Sequence, residues 1–352
     1  MRLAITAALL ATLALAGEAR AGCGAPAPDA PPGRLDPAME SYRHLFLPLA
    51  GEGGFHARFM GVSTVLFRVG DDAILVDGYF SRPGLWRVLG KIAPDRARID
   101  YALGRARITG LHAVLAAQSH VDHAFDAAAV VEGCPGARLV GSESTANIGR
   151  GAGLTLDRIH VFRDRERLLF GDGRVAVTVF RSPHGEPFLA RGDITAPLRP
   201  PAYAWDYREG GSFSFLVEQG GRRILVHPGA NFEPGMYEGV RADVVLLGIA
   251  GLGGRGRRKA DFAGRYWDEV VKKTHARLVV PIHWDDFFSP LDRPLRPSRL
   301  GFTRAICRVL KQGKADRIPV RFMPTFEPVD LVAAADAPDR DTVVPDRCLR
   351  VT

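Results

Sequence analysis

Apolar residues in this chain fall mainly into short unbroken runs or two-residue alternations, with fewer stretches at helical spacing. A Pro/Ala/Gly-rich stretch lasts to about Pro37, and strand patterning begins beyond it. Residues 62–69 and 73–76 flank Gly70-Asp71-Asp72, which predicts a hairpin. Residues 83–92 open with Pro83 and read as a helix. A short buried strand is expected over 113–117, a helix of small apolar residues over 122–131, and another strand at 138–140. Ser142, with Thr145 three positions on, can cap a further helix. More strands are expected at 174–181, 212–218, 222–227 and 243–247, then an amphipathic helix at 261–274 and a last buried strand at 277–281.

Strands with helices interspersed in both halves predict an α/β fold whose sheets are covered by helices. Composition does not shift within 38–330 and no short repeat is present, so one domain over 38–332 and a tail over 333–352 are expected. Residues 185–211 are too long for an ordinary connection. Their aromatics, Phe188, Tyr203, Trp205 and Tyr207, suggest a packed lid.

Composition adds little: 46% hydrophobic and 24% charged is ordinary for a globular chain. The N-terminus adds more. Met1-Arg2, an apolar stretch from Leu3 to Gly17 and Ala19-Arg20-Ala21 match a signal peptide over 1–21, followed by a linker over 22–37. A lipobox ending at Cys23 would want an aliphatic residue where Arg20 stands, so cleavage after Ala21 is preferred to a lipoprotein anchor. A periplasmic or secreted location follows from that leader. Cys23, Cys134, Cys307 and Cys348 would then meet an oxidising compartment. Four cysteines allow three pairings; a Cys307–Cys348 bond would tie down the tail.

The formal net charge is +8, and loss of Arg2, Arg20 and Glu18 with the leader leaves +7. Such a charge favours acidic substrates or an anionic membrane surface, and a generally Arg-rich composition explains it equally well. Only Arg255-Gly256-Arg257-Arg258-Lys259 approaches a basic stripe, and it reads as a solvated loop, so a small molecule rather than nucleic acid is the expected partner.

Chemistry concentrates in Ser119-His120-Val121-Asp122-His123, three potential metal ligands placed between a strand and a helix. Imidazole nitrogen and carboxylate oxygen are the donors a hydrolytic zinc site uses. The plainer reading is a packed His120 and a capping Asp122. His184 and His283 count against it, since each follows a strand end, where residues distant in sequence converge.

In order and context these residues resemble the metallo-β-lactamase superfamily, with its His-x-His-x-Asp-His motif, an isolated His, an isolated Asp and a final His. The resemblance spans roughly residues 55–290. It includes Leu75-Val76-Asp77-Gly78 early, Ser182-Pro183-His184-Gly185 and His283-Trp284-Asp285-Asp286. The 142–148 stretch and the last of these strings look most like the branch near ascorbate-6-phosphate lactonases and N-acylphosphatidylethanolamine phospholipase D. The resemblance implies an αββα sandwich of two mixed sheets with helices on both outer faces.

Two departures matter. Gln118 stands where the family's first His belongs, and an amide oxygen binds metal more weakly than imidazole. After residues 224–226 the sequence runs His227-Pro228-Gly229-Ala230-Asn231, so the bridging carboxylate is missing, with His227 or Asn231 as substitutes. The resemblance implies one metal site of Gln118, His120 and His184 and another of Asp122, His123 and His283. The second is the stronger, and one tightly held ion is expected. Zinc suits the nitrogen-rich donors, with manganese and iron as alternatives.

A metal-bound hydroxide would then attack an ester, lactone, amide or phosphodiester, with Asp122 orienting it and Asp77 fixing a ligand histidine. Tyr203, Trp205 and Trp284 are candidate substrate contacts. The competing expectation is a non-catalytic metal- or ligand-binding member with a degraded paired site. A serine hydrolase is a poor fit, because no Gly-x-Ser-x-Gly elbow is present.

Overall fold

The computed structural model describes residues 12–14, 23, 35–185, 189–298, 301–337 and 341–350. Most of the expected leader and linker, and Phe188, lie outside the described residues.

Six strands form one mixed sheet in the spatial order β2 (His56–Phe59), β3 (Val65–Val69), β4 (Asp72–Val76), β6 (Ala113–Leu115), β7 (Arg138–Gly141) and β8 (Ile159–Val161). The pairs β2–β3 and β3–β4 are antiparallel, and β4, β6, β7 and β8 run parallel. The second sheet runs β1 (Thr12–Ala14), β9 (Arg167–Phe170), β10 (Val175–Ser182), β12 (Ser212–Gln219), β13 (Arg222–His227), β14 (Val244–Gly248) and β15 (Leu278–Ile282). It is antiparallel from β9 to β13 and parallel from β13 to β15. A small ribbon pairs β5 (Lys91–Ile92) with β11 (Ala202–Tyr203).

The described residues also form eight α-helices: α1 (Arg96–Arg105), α2 (Val121–Ala124), α3 (Ala127–Gly133), α4 (Glu143–Gly151), α5 (Arg257–Trp267), α6 (Phe302–Asp316), α7 (Leu331–Asp336) and α8 (Asp346–Leu349). Helices α3 and α4 pack on the first sheet, and α6 and α7 on the second. Strands β6, β14 and β15 are buried along their whole length. That matches parallel strands covered on both faces. One contiguous apolar core runs from Cys23 to Cys348.

Most expected elements appear near their predicted limits, and three differ. Residues 83–92 form a single 3-10 turn, Arg87–Leu89, followed by β5. Leu85, Trp86 and Leu89 are exposed there, so a helix would have had no apolar face to bury. The helix expected over 122–131 is broken between α2 and α3. At the break Asp126 turns inward, and its carboxylate accepts from Phe80 N, Ser81 N and Ser81 Oγ. The helix expected from 261 begins at Arg257, so the basic string reaches into α5 rather than remaining a loop.

The described part of the 185–211 connection is packed at several points, although Trp205, one of the aromatics that suggested a packed lid, is exposed. Ile194 N donates to Ser144 Oγ at 2.9 Å and Leu198 N to Asn147 O at 3.0 Å. Tyr207 is buried with its ring against Phe125. Cys307 pairs with Cys348, as expected for the tail, and Cys23 pairs with Cys134.

Candidate metal centre

Each ligand-type residue follows the C-terminal end of a strand: Asp77 after β4, residues 118–123 after β6, His184 after β10 and His283 after β15. Parallel strands end at a common edge, and side chains from separate segments meet there. Asp122, His123 and His283 bring one ligand atom each to within 4.8 Å of one another. Asp122 Oδ2 lies 3.2 Å from His283 Nε2 and 3.7 Å from His123 Nε2.

His123 is completely buried and braced on its far side. Its Nδ1 lies 2.8 Å from Asp77 Oδ2 and 3.0 Å from Ser63 Oγ. Asp77 also accepts from Ser63 Oγ at 2.5 Å and from Ala117 N at 2.7 Å. The Asp77 contact makes Nδ1 the donor and leaves the Nε2 lone pair facing Asp122 and His283. This Nε2 is buried and, among the described residues, has no hydrogen-bond partner. Burial disfavours charge on His123, yet the Asp122 and Asp77 carboxylates hold its pKa above the ordinary value. Burial likewise works against ionised Asp122, but His123, His283 and His120 outweigh it and hold the carboxyl far below the usual range. The pocket therefore favours positive charge at this point, and its donors fit a divalent cation.

His120 and His184 form the other half. Their rings meet edge to face, with His120 Nδ1 3.2 Å from His184 Nε2. The opposite nitrogens donate to backbone carbonyls: His120 Nε2 to Ala190 O at 3.2 Å, and His184 Nδ1 to Gly185 O. With those tautomers two lone pairs face each other, an arrangement that a cation between them would relieve. Burial lowers the pKa of both rings, with His120 adding to the effect at His184, which falls to about 4. Both are neutral near pH 7, the form that binds metal. Gln118 is buried, and its Oε1 accepts from Ser212 Oγ at 3.3 Å.

The two substitutes proposed for the missing carboxylate are committed elsewhere. His227 is buried, with Nδ1 2.9 Å from Ser214 Oγ and 2.6 Å from Tyr237 OH, and Nε2 2.9 Å from Asn231 O. Burial lowers its pKa to about 4, so it is a neutral structural residue. Asn231 donates from Nδ2 to the His184 carbonyl at 2.7 Å and accepts from Phe232 N at 2.9 Å, which makes it a support for the His184 segment.

Trp284 is buried, with its ring against Phe59 and Phe322, and is a core residue rather than a substrate contact. Tyr203 and Trp205 stack on each other at 4.5 Å, and Lys91 sits over the Tyr203 ring.

Sequence reasoning missed the fully buried Arg82–Asp285 ion pair, 2.8 Å apart. Asp285 Oδ1 also accepts from Val62 N at 2.7 Å, and His283 N donates to Val62 O at 2.5 Å. Asp77, His283, Val62 and Arg82 all have positive φ. Non-glycine residues in that region cost about 1–3 kcal/mol each and persist where their surroundings fix them. Gly61 is required beside them, because a Cβ there would strike the Arg82 guanidinium. The one available signal was local: an acidic residue two positions after the final His.

Two mixed sheets flanked by helices, with histidines and an aspartate converging at strand ends, make this a metallo-β-lactamase-like fold. No family model and no curated protein matches the sequence. Among solved structures the chain is similar to Igni18, a metallo hydrolase from Ignicoccus hospitalis, at 17% identity and TM-score 0.49 over 78% of this chain and 97% of that one. It is also similar to CmlA, a diiron β-hydroxylase from Streptomyces venezuelae, at 15% identity and TM-score 0.48 over 79% of this chain and 54% of that one. An isothiocyanate hydrolase from Delia radicum gut bacteria is similar at 14% identity and TM-score 0.47, over 77% and 97% of the two chains.

Proposed function

We propose that this chain is an exported metal-dependent hydrolase whose principal ion, zinc by its donor set, is held by Asp122, His123 and His283. The observation that carries the reading is the buried His123 Nε2, which has no hydrogen-bond partner among the described residues and is directed at two further ligand atoms while Asp77 occupies the opposite nitrogen. A bound ion would supply Lewis acidity, polarising a carbonyl or phosphoryl oxygen and acidifying water. Asp77 holds the His123 tautomer, Asp122 supplies the one carboxylate of the set, and the Ala190 and Gly185 carbonyls turn lone pairs of His120 and His184 toward the same centre. The scissile group is an ester, lactone, amide or phosphodiester.

Two disulfides support an oxidising compartment. The bond from Cys23 Sγ to Cys134 uses the thiol that a lipid anchor would need, which supports a cleaved leader over lipidation. The second reading, a binding protein with a degraded centre, draws on the absence of a carboxylate after β13 and on Gln118 facing Ser212.

Elemental analysis of gently purified protein, paired with assays on p-nitrophenyl esters and bis(p-nitrophenyl) phosphate, separates the two. About one equivalent of metal with metal-dependent turnover is expected. Two tightly held equivalents would refute the single-ion claim, and bound metal without turnover of either substrate class would favour the binding protein.

A further inference from the structure

Beside the His184 segment lies a cavity of about 440 Å³ that no step above uses, lined by Asn231, Arg258, Lys259, Asp261, Phe262 and Arg265 among others. Arg258 and Arg265 stand seven residues apart on α5, two helical turns, and so share one face. Both guanidiniums line the cavity, and among the described residues neither has a carboxylate partner. Lys259 and Asp261 line the same cavity. Phe262, its ring 5.6 Å from Phe232, gives the cavity an apolar side.

Asn231 and Ala230 link this cavity to the candidate centre. Asn231 lines it and holds the His184 carbonyl, and a Cβ on Gly185 would come within 3.2 Å of Ala230 N. Unpaired guanidinium forks match the paired oxygens of carboxylates and phosphates. Two of them lining a cavity one side chain away from a ligand histidine is an arrangement for holding the charged end of a small molecule near the metal.

We infer that the Arg258–Arg265 cavity binds an oxyanion, a carboxylate or a phosphate, carried by the substrate on the side remote from its scissile bond. The substrate part of this inference rests on the hydrolase reading, while the anion site stands without it. The test therefore has two arms. In the first, metal-free protein is titrated calorimetrically with glutarate and with inorganic phosphate. Saturable binding of at least one is expected, weakened tenfold or more in the Arg258→Ala/Arg265→Ala double variant and further by added salt. The stronger anion identifies the group. No saturable binding of either, or equal affinity in the double variant, overturns the site.

In the second arm, zinc-loaded protein is assayed on p-nitrophenyl butyrate and on mono(p-nitrophenyl) glutarate, which differ in a distal carboxylate. The double variant should raise KM about tenfold for the anionic ester alone, with kcat retained. Equal changes on both esters would overturn the substrate role. If neither ester is turned over, the ester-hydrolase form of the reading fails while the calorimetry still decides the anion site.

Discussion

The two halves of the candidate centre are built differently although they lie side by side. The Asp122–His123–His283 cluster carries negative charge and is braced by Asp77, Ser63 and the backbone of Ala117. The His120–His184 pair is uncharged and is held by carbonyls of Ala190 and Gly185 and by Asn231. One half rests on strand ends and buried side chains, the other partly on the long connection between β10 and β12. Attraction for a cation and rigidity thus coincide in the first half, and both are weaker in the second. An ion should bind first, and stay longest, at Asp122, His123 and His283.

The largest expected effect comes from removing the only carboxylate in the set. Asp122→Asn should lower kcat/KM by about 10²–10⁴-fold and release the ion, with far-ultraviolet circular dichroism unchanged. Unchanged turnover would remove Asp122 from the chemistry.

A smaller loss is expected one shell out. Asp77→Asn should weaken metal retention about 10–100-fold in a chelator competition, because the amide no longer enforces the Nδ1–H tautomer of His123. Replacing Asn231 with Ala should act on the other half and leave the first ion in place. Equal sensitivity of the tight ion to both changes would erase the distinction between the halves.

His227 supplies a contrast from outside the centre. Its folded pKa of about 4 lies below the ordinary 6.5, so between those values the unfolded chain binds the additional proton. Its contribution to stability is complete above pH 6.5 and is lost as pH falls toward 4. Denaturant unfolding of metal-free protein should show about 1 kcal/mol lost from this group between pH 7 and 5.5. A His227→Gln variant should flatten that slope, and an unflattened slope would show that other groups set it.

The subtlest change is Gln118→His, which should move zinc content from one equivalent toward two by completing the His120–His184 set. Unchanged content under zinc excess would show that position 118 is committed to Ser212 and does not face the pair.

How much of this was legible beforehand follows from the range of each interaction. The string from His120 to His123 and the later histidines were readable, because strand ends gather residues in a way that local pattern reveals. Asp77 was readable as a strand-end carboxylate, but the Ser63 hydroxyl beside it was not. The fates of His227 and Asn231 depended on Ser214, Tyr237 and the His184 carbonyl, which only the folded chain brings together. The Arg82–Asp285 pair joins residues 203 positions apart, and its one local hint, an acidic residue two positions after the final His, does not name the arginine it meets. Residues 83–92 misled because Pro83 and a few apolar side chains imitate a helix start, whereas burial decides whether a helix forms.

The disulfide pattern bears on how the molecule is made. The bonded pairs follow the order of the cysteines along the chain, first with second and third with fourth. If the chain crosses a membrane N-terminus first, Cys134 is the first thiol that can reach Cys23, and Cys348 is the first newcomer to meet Cys307. An oxidase acting on thiols as they emerge would form both native bonds with no later reshuffling. The yield of correctly bonded protein should then be insensitive to loss of a disulfide isomerase, and oxidation of the fully denatured, reduced chain should give more mispaired product than oxidation during export.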